Sequence, residues 1–573
     1  MTDSRRLRMS KLTLGLVAAL AAAPAFAQST SAGVGGTVTN PSGQPAAGVE
    51  VTIVHVESGT VSRVTTDGSG RFNARGLRVG GPYTLTFKSA DGVRTEEGIY
   101  LSLNQVSTVN AALGADITTL DAVVAVGTAG GSAVFSADNR GVGTSVDGRQ
   151  LQITPQGNRS LDDVARLDPR VTVLDPASGS ISVAGVNNRF NTISVDGLSQ
   201  GDPFGLNSNG LPYTNSPISV DTIAAYDINV SDYDVAQDAV GAAINAVTKS
   251  GTNEFHGSVY YAYKDAGSMV ASRDGQDYGL FDKDETTGLT IGGPILKDKL
   301  FFFGSYEEQK VSNFGGGGAT VDGYTRGIVS RQEIDEVIDI AKNIWGFDPG
   351  TYGEAMGISL ENKRYLGKID WNSNDSHRAS LTYQQTEETL PSPYDQSTST
   401  VILSTRWFTR ESTTKNTSLQ LFSDWTENFS TEVKVAYQKY DYEAGADINL
   451  PQINITTVGN SSGSGQGVRL GEDRNRHRNE IHTERLTANV FGLYYAGDHA
   501  IKFGFDYLNN DALNLYGRDL HGTYVFNSID DFRNGEYYSY TVRRPAPGYT
   551  EEDTAAAITF SQWSPYIQDT WSV

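Results

Sequence analysis

No cysteine occurs among the 573 residues, and that absence removes disulfide frameworks, thiolate metal sites and cysteine nucleophiles together. Basic residues are scarce as well. Lys and Arg number 45 against 67 Asp and Glu, a formal net charge of -22, so no basic face offsets phosphate repulsion and nucleic acid is not expected as a partner. Long apolar runs are nearly missing. The single one, Leu12 to Ala23, follows Arg5, Arg6, Arg8 and Lys11 and precedes Pro24-Ala25-Phe26-Ala27-Gln28. This is the pattern of a cleaved secretory signal over residues 1–27, and the mature chain is expected to begin at Gln28. Nothing later approaches the ~20 apolar residues that a helix needs to cross a bilayer. If the chain spans a membrane, it does so with strands.

What is present, from Thr252 to Val573, is a train of segments with apolar residues at every second position. Phe255, Gly257, Val259, Tyr261 and Tyr263 alternate with polar or small neighbours, as do Leu381 and Tyr383, Val433, Val435 and Tyr437, and Ile501, Phe503, Phe505 and Tyr507. A period of two predicts strands with one apolar and one polar face. Short connections (297–299, 373–375, 426–428, 496–498) alternate with long polar ones (264–285, 311–363, 387–414, 441–481, 509–555). Short turns on one side, long loops on the other, and aromatics at strand ends (Tyr306, Trp425, Tyr440, Tyr494) predict an outer-membrane β-barrel. A soluble β-sandwich or propeller also alternates and is the bland alternative.

Ahead of that train, residues 34–113 carry short strands separated by Gly, Pro and Asp turns, which predicts a small sandwich. Gly36-Thr-Val, Asp67-Gly-Ser-Gly-Arg-Phe72 and Leu77 to Tyr83 resemble the carboxypeptidase regulatory-like domain, with one extra residue before Tyr83. The resemblance is to an accessory fold and brings no peptidase chemistry. Asp67 reads as a turn residue, because the later carboxylates of a calcium loop are missing. Ala115 to Gly127 is an extended, β-prone tether, suited either to pairing with a sheet edge on another protein or to opening the next domain. Residues 128–250 mix strands with short helices, including one over Ser160 to Leu167 with Asp162 and Asp163 in its first turn.

Four stretches carry a more specific resemblance: Gly185-Val-Asn-Asn-Arg-Phe-Asn-Thr-Ile-Ser-Val-Asp-Gly197, Asp202-Pro-Phe-Gly-Leu206, Val247-Thr-Lys-Ser-Gly-Thr-Asn-Glu-Phe-His-Gly-Ser258 and Gly292-Gly-Pro-Ile-Leu-Lys-Asp-Lys-Leu-Phe-Phe-Phe303. They are similar to TonB-dependent outer-membrane receptors of the Oar-like branch. The resemblance implies a mainly β chain in five parts: signal peptide (1–27), regulatory-like β-sandwich (28–114), linker with TonB box (115–127), α+β plug domain (128–250) and transmembrane antiparallel β-barrel (251–573). It further implies a non-enzymatic importer in the outer membrane of a Gram-negative bacterium, with the N-terminal domain in the periplasm. Its partners would be TonB, outer-membrane lipid and an unidentified extracellular substrate. Leu120, Asp121, Ala122, Val123, Val124, Ala125 and Val126 would then form the TonB-binding segment, and Asn188, Arg189, Phe190, Asp202 and Phe204 the substrate-facing plug loops. The alternative reading is an outer-membrane adhesin or structural barrel without active transport.

Other chemistry finds little support. Gly459-Asn-Ser-Ser-Gly463 fits a nucleophile-elbow pattern around Ser461, but a Gly/Ser-rich loop follows it where a helix is needed. The seven histidines form no His-x-x-x-His pair, so no metal site or cofactor is expected, and Arg474, Arg476, His477 and Arg478 read as a solvated or headgroup-facing patch. No Gly-x-x-x-x-Gly-Lys-Ser/Thr loop is present, so energy for transport must come through a partner. Gln332 to Trp345 predicts an amphipathic helix packed on the loops. About ten strands are countable, whereas about 22 surround a plugged lumen, and a plug of this size has a radius of gyration of about 14 Å. The expectation is therefore the N-terminal part of a receptor nearly twice as long.

Overall fold

Alternation along the chain becomes one sheet of ten antiparallel strands, each paired with its sequence neighbour. In order they are His256–Asp265, Lys283–Leu296, Leu300–Ser312, Ser359–Asn372, His377–Ser392, Phe408–Thr426, Phe429–Gly445, Asn479–Ala496, His499–Tyr516 and Ala556–Trp571. The structure is a computed structural model. It describes residues 30–571 except 104, 115–140, 156, 176–178, 203, 205–206, 215, 233, 237–240, 266–271, 274–275, 278–280, 313–328, 353–357, 394–399, 447 and 459–465. The signal peptide, the candidate TonB segment and Ser461 lie outside the described residues.

The faces of this sheet are inverted relative to a soluble protein. Val259 is 85% exposed and Leu381, Leu419, Leu421, Val435 and Phe503 are also exposed, while Glu307 is fully buried and Arg364, Gln384, Asn416, Gln420 and Lys434 are buried with it. Water would drive those apolar side chains inward. Hydrocarbon imposes no such cost, so the pattern excludes a soluble sandwich and fits strands that face lipid outside and a polar lumen inside. Among the described residues no helix is long and apolar enough to cross a membrane. Trp371, Trp425, Tyr494 and Trp571 stand exposed at the ends next to the short turns, where an interfacial aromatic belt belongs. Tyr440 does not join such a belt. Its even-numbered position puts it on the same face as Lys434 and Ala436, and it is buried in the lumen.

The four short turns fall where the spacing predicts, and Asp298 and Gly497 take positive φ (64° and 62°) to make two of them. Strands extend further into the predicted long loops than expected, because polar alternation continues there. What remains of four loops co-folds into a unit of its own. Its five-stranded sheet runs Thr400–Ile402, Gln466–Leu470, Gln452–Val458, Thr523–Phe526, Ser539–Thr541. The predicted helix spans Arg331–Asn343 and starts in a capping box between Ser330 and Glu333, which satisfies otherwise unpaired N–H groups. Ile334, Val337, Ile340 and Ala341 pack against Leu403, Ile455, Val468 and Phe532 in its core.

Inside the curve of the barrel sheet lies a five-stranded mixed sheet, ordered Leu198–Ser199, Thr192–Val195, Ala243–Thr248, Ile223–Asp232, Gly141–Asp147. Its apolar core includes Val146, Val164, Tyr226, Ile228 and Ile244, and the short helix Leu161–Ala165 packs there with Ser160 as N-cap. At the other end, two facing sheets between Ala32 and Ala112 enclose Val34, Val51, Ile53, Phe72, Leu85 and Phe87. Asp67 Oδ1 accepts from the Ser69 and Arg71 amides at 2.8 and 2.9 Å, so its carboxylate is used in a turn.

Candidate functional site

Much of the inward face of the barrel sheet is polar where it meets the inner domain. Glu307, on Leu300–Ser312, is the centre of the contact. Its carboxylate accepts from Tyr260 Oη (2.7 Å) and Ser219 Oγ (2.8 Å) and pairs with the guanidinium of Arg364, which also donates through Nε to the Ser216 carbonyl at 2.7 Å. Arg159, which pairs with Asp221, approaches the same carboxylate at 3.4 Å. Burying this carboxylate alone would cost several kcal/mol; the two guanidinium groups and two hydroxyls offset it. Ser216, Ser219, Asp221 and Arg159 belong to the inner domain, whereas Tyr260, Glu307 and Arg364 belong to the wall. The pairing thus locks one to the other.

Similar bonds surround the inner domain. Glu388 accepts from the Thr214 amide and hydroxyl (2.9 and 2.7 Å), Gln384 Nε2 and Thr386 Oγ1 donate to the Pro217 carbonyl (3.0 and 2.8 Å), Gln420 donates to the Asp196 carbonyl (2.8 Å) and Lys502 holds Asp234 (2.8 Å). Such bonds contribute about 1 kcal/mol each because water replaces them on separation. An interface of this composition is specific in the resting state, yet separable in a wet lumen without exposing a large apolar face.

The predicted substrate-facing residues divide into two groups. Asn188 Nδ2 donates to Ser180 Oγ (2.8 Å) and the Ser208 carbonyl, and Asp202 Oδ1 accepts from the Phe204 amide (2.8 Å). These two side chains shape the loops. Phe204 is half-buried against Tyr440, Tyr442 and Ile481 of the wall. Arg189 and Phe190 are exposed. Asn188 brings the 187–191 turn onto the loop around Ser208, so the five residues lie on two connected loops.

The small sandwich sits against the short turns. Arg63 pairs with Asp375, Arg71 with Asp498 (2.6 Å), Arg75 Nε donates to Tyr495 Oη (2.6 Å) and Asn372 Nδ2 to Thr60 Oγ1 (2.8 Å). On the opposite side, the basic run 474–478 is not a solvated patch. Arg474 pairs with Asp519 (2.7 Å) and Arg478 with Glu480 (2.6 Å), Arg476 lies over the Phe408 ring, and His477 is buried. Asp519 reaches Arg474 from a distant stretch, Glu480 reaches Arg478 from two residues on, and of the run only His477 is fully buried.

Comparison with known proteins agrees with this architecture. Residues 33–114 match the carboxypeptidase regulatory-like domain and residues 247–324 the outer membrane beta barrel domain. The inverted strands and these matches define an outer-membrane β-barrel protein of the Gram-negative envelope. The chain is 29% identical over 393 residues to the TonB-dependent transporter Oar of Myxococcus xanthus, covering 63% of this chain and 34% of Oar. It shares the fold of the outer membrane transporter YddB from Escherichia coli, with a TM-score of 0.51, 16% identity and coverage of 74% of this chain and 54% of that one. The chain is thus similar in sequence to a TonB-dependent transporter and in fold to an outer membrane transporter. The chain spans about a third of the length of Oar and about half of YddB. Both relatives are transporters rather than enzymes.

Proposed function

We propose that the protein acts as a gated importer, in which the inner domain of residues 128–250 plugs the lumen and TonB supplies the energy to move it. The observation that carries this reading is the buried lock of Glu307 and Arg364 on the wall with Ser219, Arg159 and Asp221 inside. An adhesin or structural barrel has no need of a folded domain held in its lumen by polar bonds that water can replace. Substrate meets the plug on the loop side, where Arg189 and Phe190 are the exposed contacts and Asn188, Asp202 and Phe204 hold their loops in place. Occupancy there frees residues 120–126, which TonB takes up as an added strand; the pull is transmitted through the plug strand Gly141–Asp147 to the lock. The substrate class stays open.

The test compares cells with the intact receptor, cells with residues 120–126 deleted and cells with TonB uncoupled, grown under each nutrient limitation that induces the receptor. Equal loss of uptake in the deletion and in the uncoupled strain is expected. Unchanged uptake and growth in both would replace this reading with the adhesin or structural barrel.

A further inference from the structure

We propose that the regulatory-like sandwich has a function of its own: it clamps the inner domain to the wall at the short-turn mouth, and it must undock before the inner domain can move. Movement of the inner domain is the importer reading given above, and the gating role rests on it; the clamp itself rests on contacts. Leu103, just past the strand Gly92–Leu101, is fully buried with Ala225 and Val247 of the inner domain and Val79 of the sandwich. Three residues earlier, the Tyr100 ring lies under the guanidinium of Arg149, its centroid 3.8 Å from Cζ. Arg149 sits in the first turn of the inner-domain helix Gly148–Ile153.

The grip reaches the wall as well. Arg78 Nη1 donates to the Gly251 carbonyl at 2.9 Å, and its guanidinium stands 4.9 Å from the centre of the Phe301 ring of the wall. Gly251 lies between the inner strand Ala243–Thr248 and the first barrel strand His256–Asp265, so this one side chain holds the junction that has to flex. The Asn253 amide bonds the Glu57 carbonyl at 2.9 Å. Gly76, at φ 65°, brings the strand Arg71–Leu77 so near the wall that a Cβ there would lie 3.1 Å from Arg378 Nη2 and 3.5 Å from Phe422 Cβ. Arg378 Nη2 in turn donates to the Arg75 carbonyl at 3.2 Å. A domain held only by its linker needs neither a fully buried side chain nor a backbone approach of this kind.

The strength of the grip sets an order of release. Arg63–Asp375 and Arg71–Asp498 are about half exposed, and such pairs are screened by water and contribute little. The Glu307 pairing is buried and far harder to break. Residues 120–126 fall between the sandwich and the inner domain in the chain, so a pull there loads both. The sandwich gives way first, and the inner domain follows once Leu103 has left Ala225 and Val247.

Hydrogen exchange of the full-length receptor in detergent, read by mass spectrometry, tests the clamp without substrate or TonB, so this test and the uptake test can fail separately. Leu103→Asp puts a carboxylate into the apolar contact and should speed exchange of Ala243–Thr248 about tenfold or more, with the sandwich strand Glu50–His55 unchanged. Gly76→Cys/Phe422→Cys places two Cβ atoms 3.5 Å apart in a chain that has no other cysteine, within the ~3.5–4.5 Å that a disulfide needs. The oxidised pair should slow exchange of Ala243–Thr248 at least about threefold, and reductant should reverse the effect. If Leu103→Asp also loosens Glu50–His55, the cysteine pair decides the matter. Unchanged exchange of Ala243–Thr248 in Leu103→Asp with an intact sandwich, failure of the disulfide to form, or equal exchange in its two redox states would overturn the proposal.

Discussion

Removing the Glu307 carboxylate should release the inner domain more than any other single change in the lumen. In Glu307→Ala, Arg364 stays buried beside the Ser216 carbonyl with its counter-charge gone, and stranding one member of a buried ion pair costs ~3–5 kcal/mol. Arg159 retains Asp221, and this partly exposed pair contributes only ~0–1 kcal/mol, so the Arg364 side dominates. Amides of the inner strand Ile223–Asp232 that exchange by undocking should therefore speed up roughly 150- to 4,000-fold. Hydrogen exchange read by mass spectrometry on the detergent-solubilised receptor measures this directly. The double variant Glu307→Ala/Arg364→Ala leaves no orphan charge and should exchange more slowly than Glu307→Ala alone. Exchange within about twofold of the natural protein in the single variant, or faster exchange in the double, would refute the lock.

Other consequences concern separate regions. Val435→Arg puts a cation on the lipid face beside buried Lys434 and should destabilise the barrel by ~2–4 kcal/mol, visible as a lower urea midpoint for folding into vesicles. Phe532→Ala empties the core under Trp345 and Phe526 at ~3–5 kcal/mol, and limited proteolysis should then nick the 517–555 loop while the strands resist. Burial, and then the Arg78 charge, lower the His55 pKa from 6.5 to about 3. The folded state therefore keeps the ring neutral. Its contribution is complete above pH 6.5 and is lost as pH falls toward 3, about 2–3 kcal/mol by pH 4.5. Exchange in the sandwich should accelerate over that window, and His55→Gln should flatten the dependence.

The barrel strands were legible because lipid-facing alternation is local: each strand declares its two faces without reference to a partner. The helix Arg331–Asn343 was legible for the same reason, its cap and apolar stripe lying within a few turns. The loop sheet was not, since Thr400–Ile402 pairs with Gln466–Leu470 across a barrel hairpin, and four of its five strands, at three to five residues, leave too short a pattern. Tyr440 was misassigned because an aromatic near a strand end was read without its register. The Glu307 lock was hidden among lumen-facing polar residues that look alike until the inner domain is placed against them.

The central claim is that TonB takes hold of residues 120–126. Since the chain contains no cysteine, Val123→Cys gives it a single thiol, and Glu97→Cys on the exposed face of the sandwich serves as the control. Both are to be expressed in cells whose TonB carries one cysteine in its periplasmic domain. The account predicts a disulfide-linked receptor–TonB species for Val123→Cys that is weak or missing for Glu97→Cys. Equal cross-linking at the two positions, or none at Val123 with both proteins present, would contradict it.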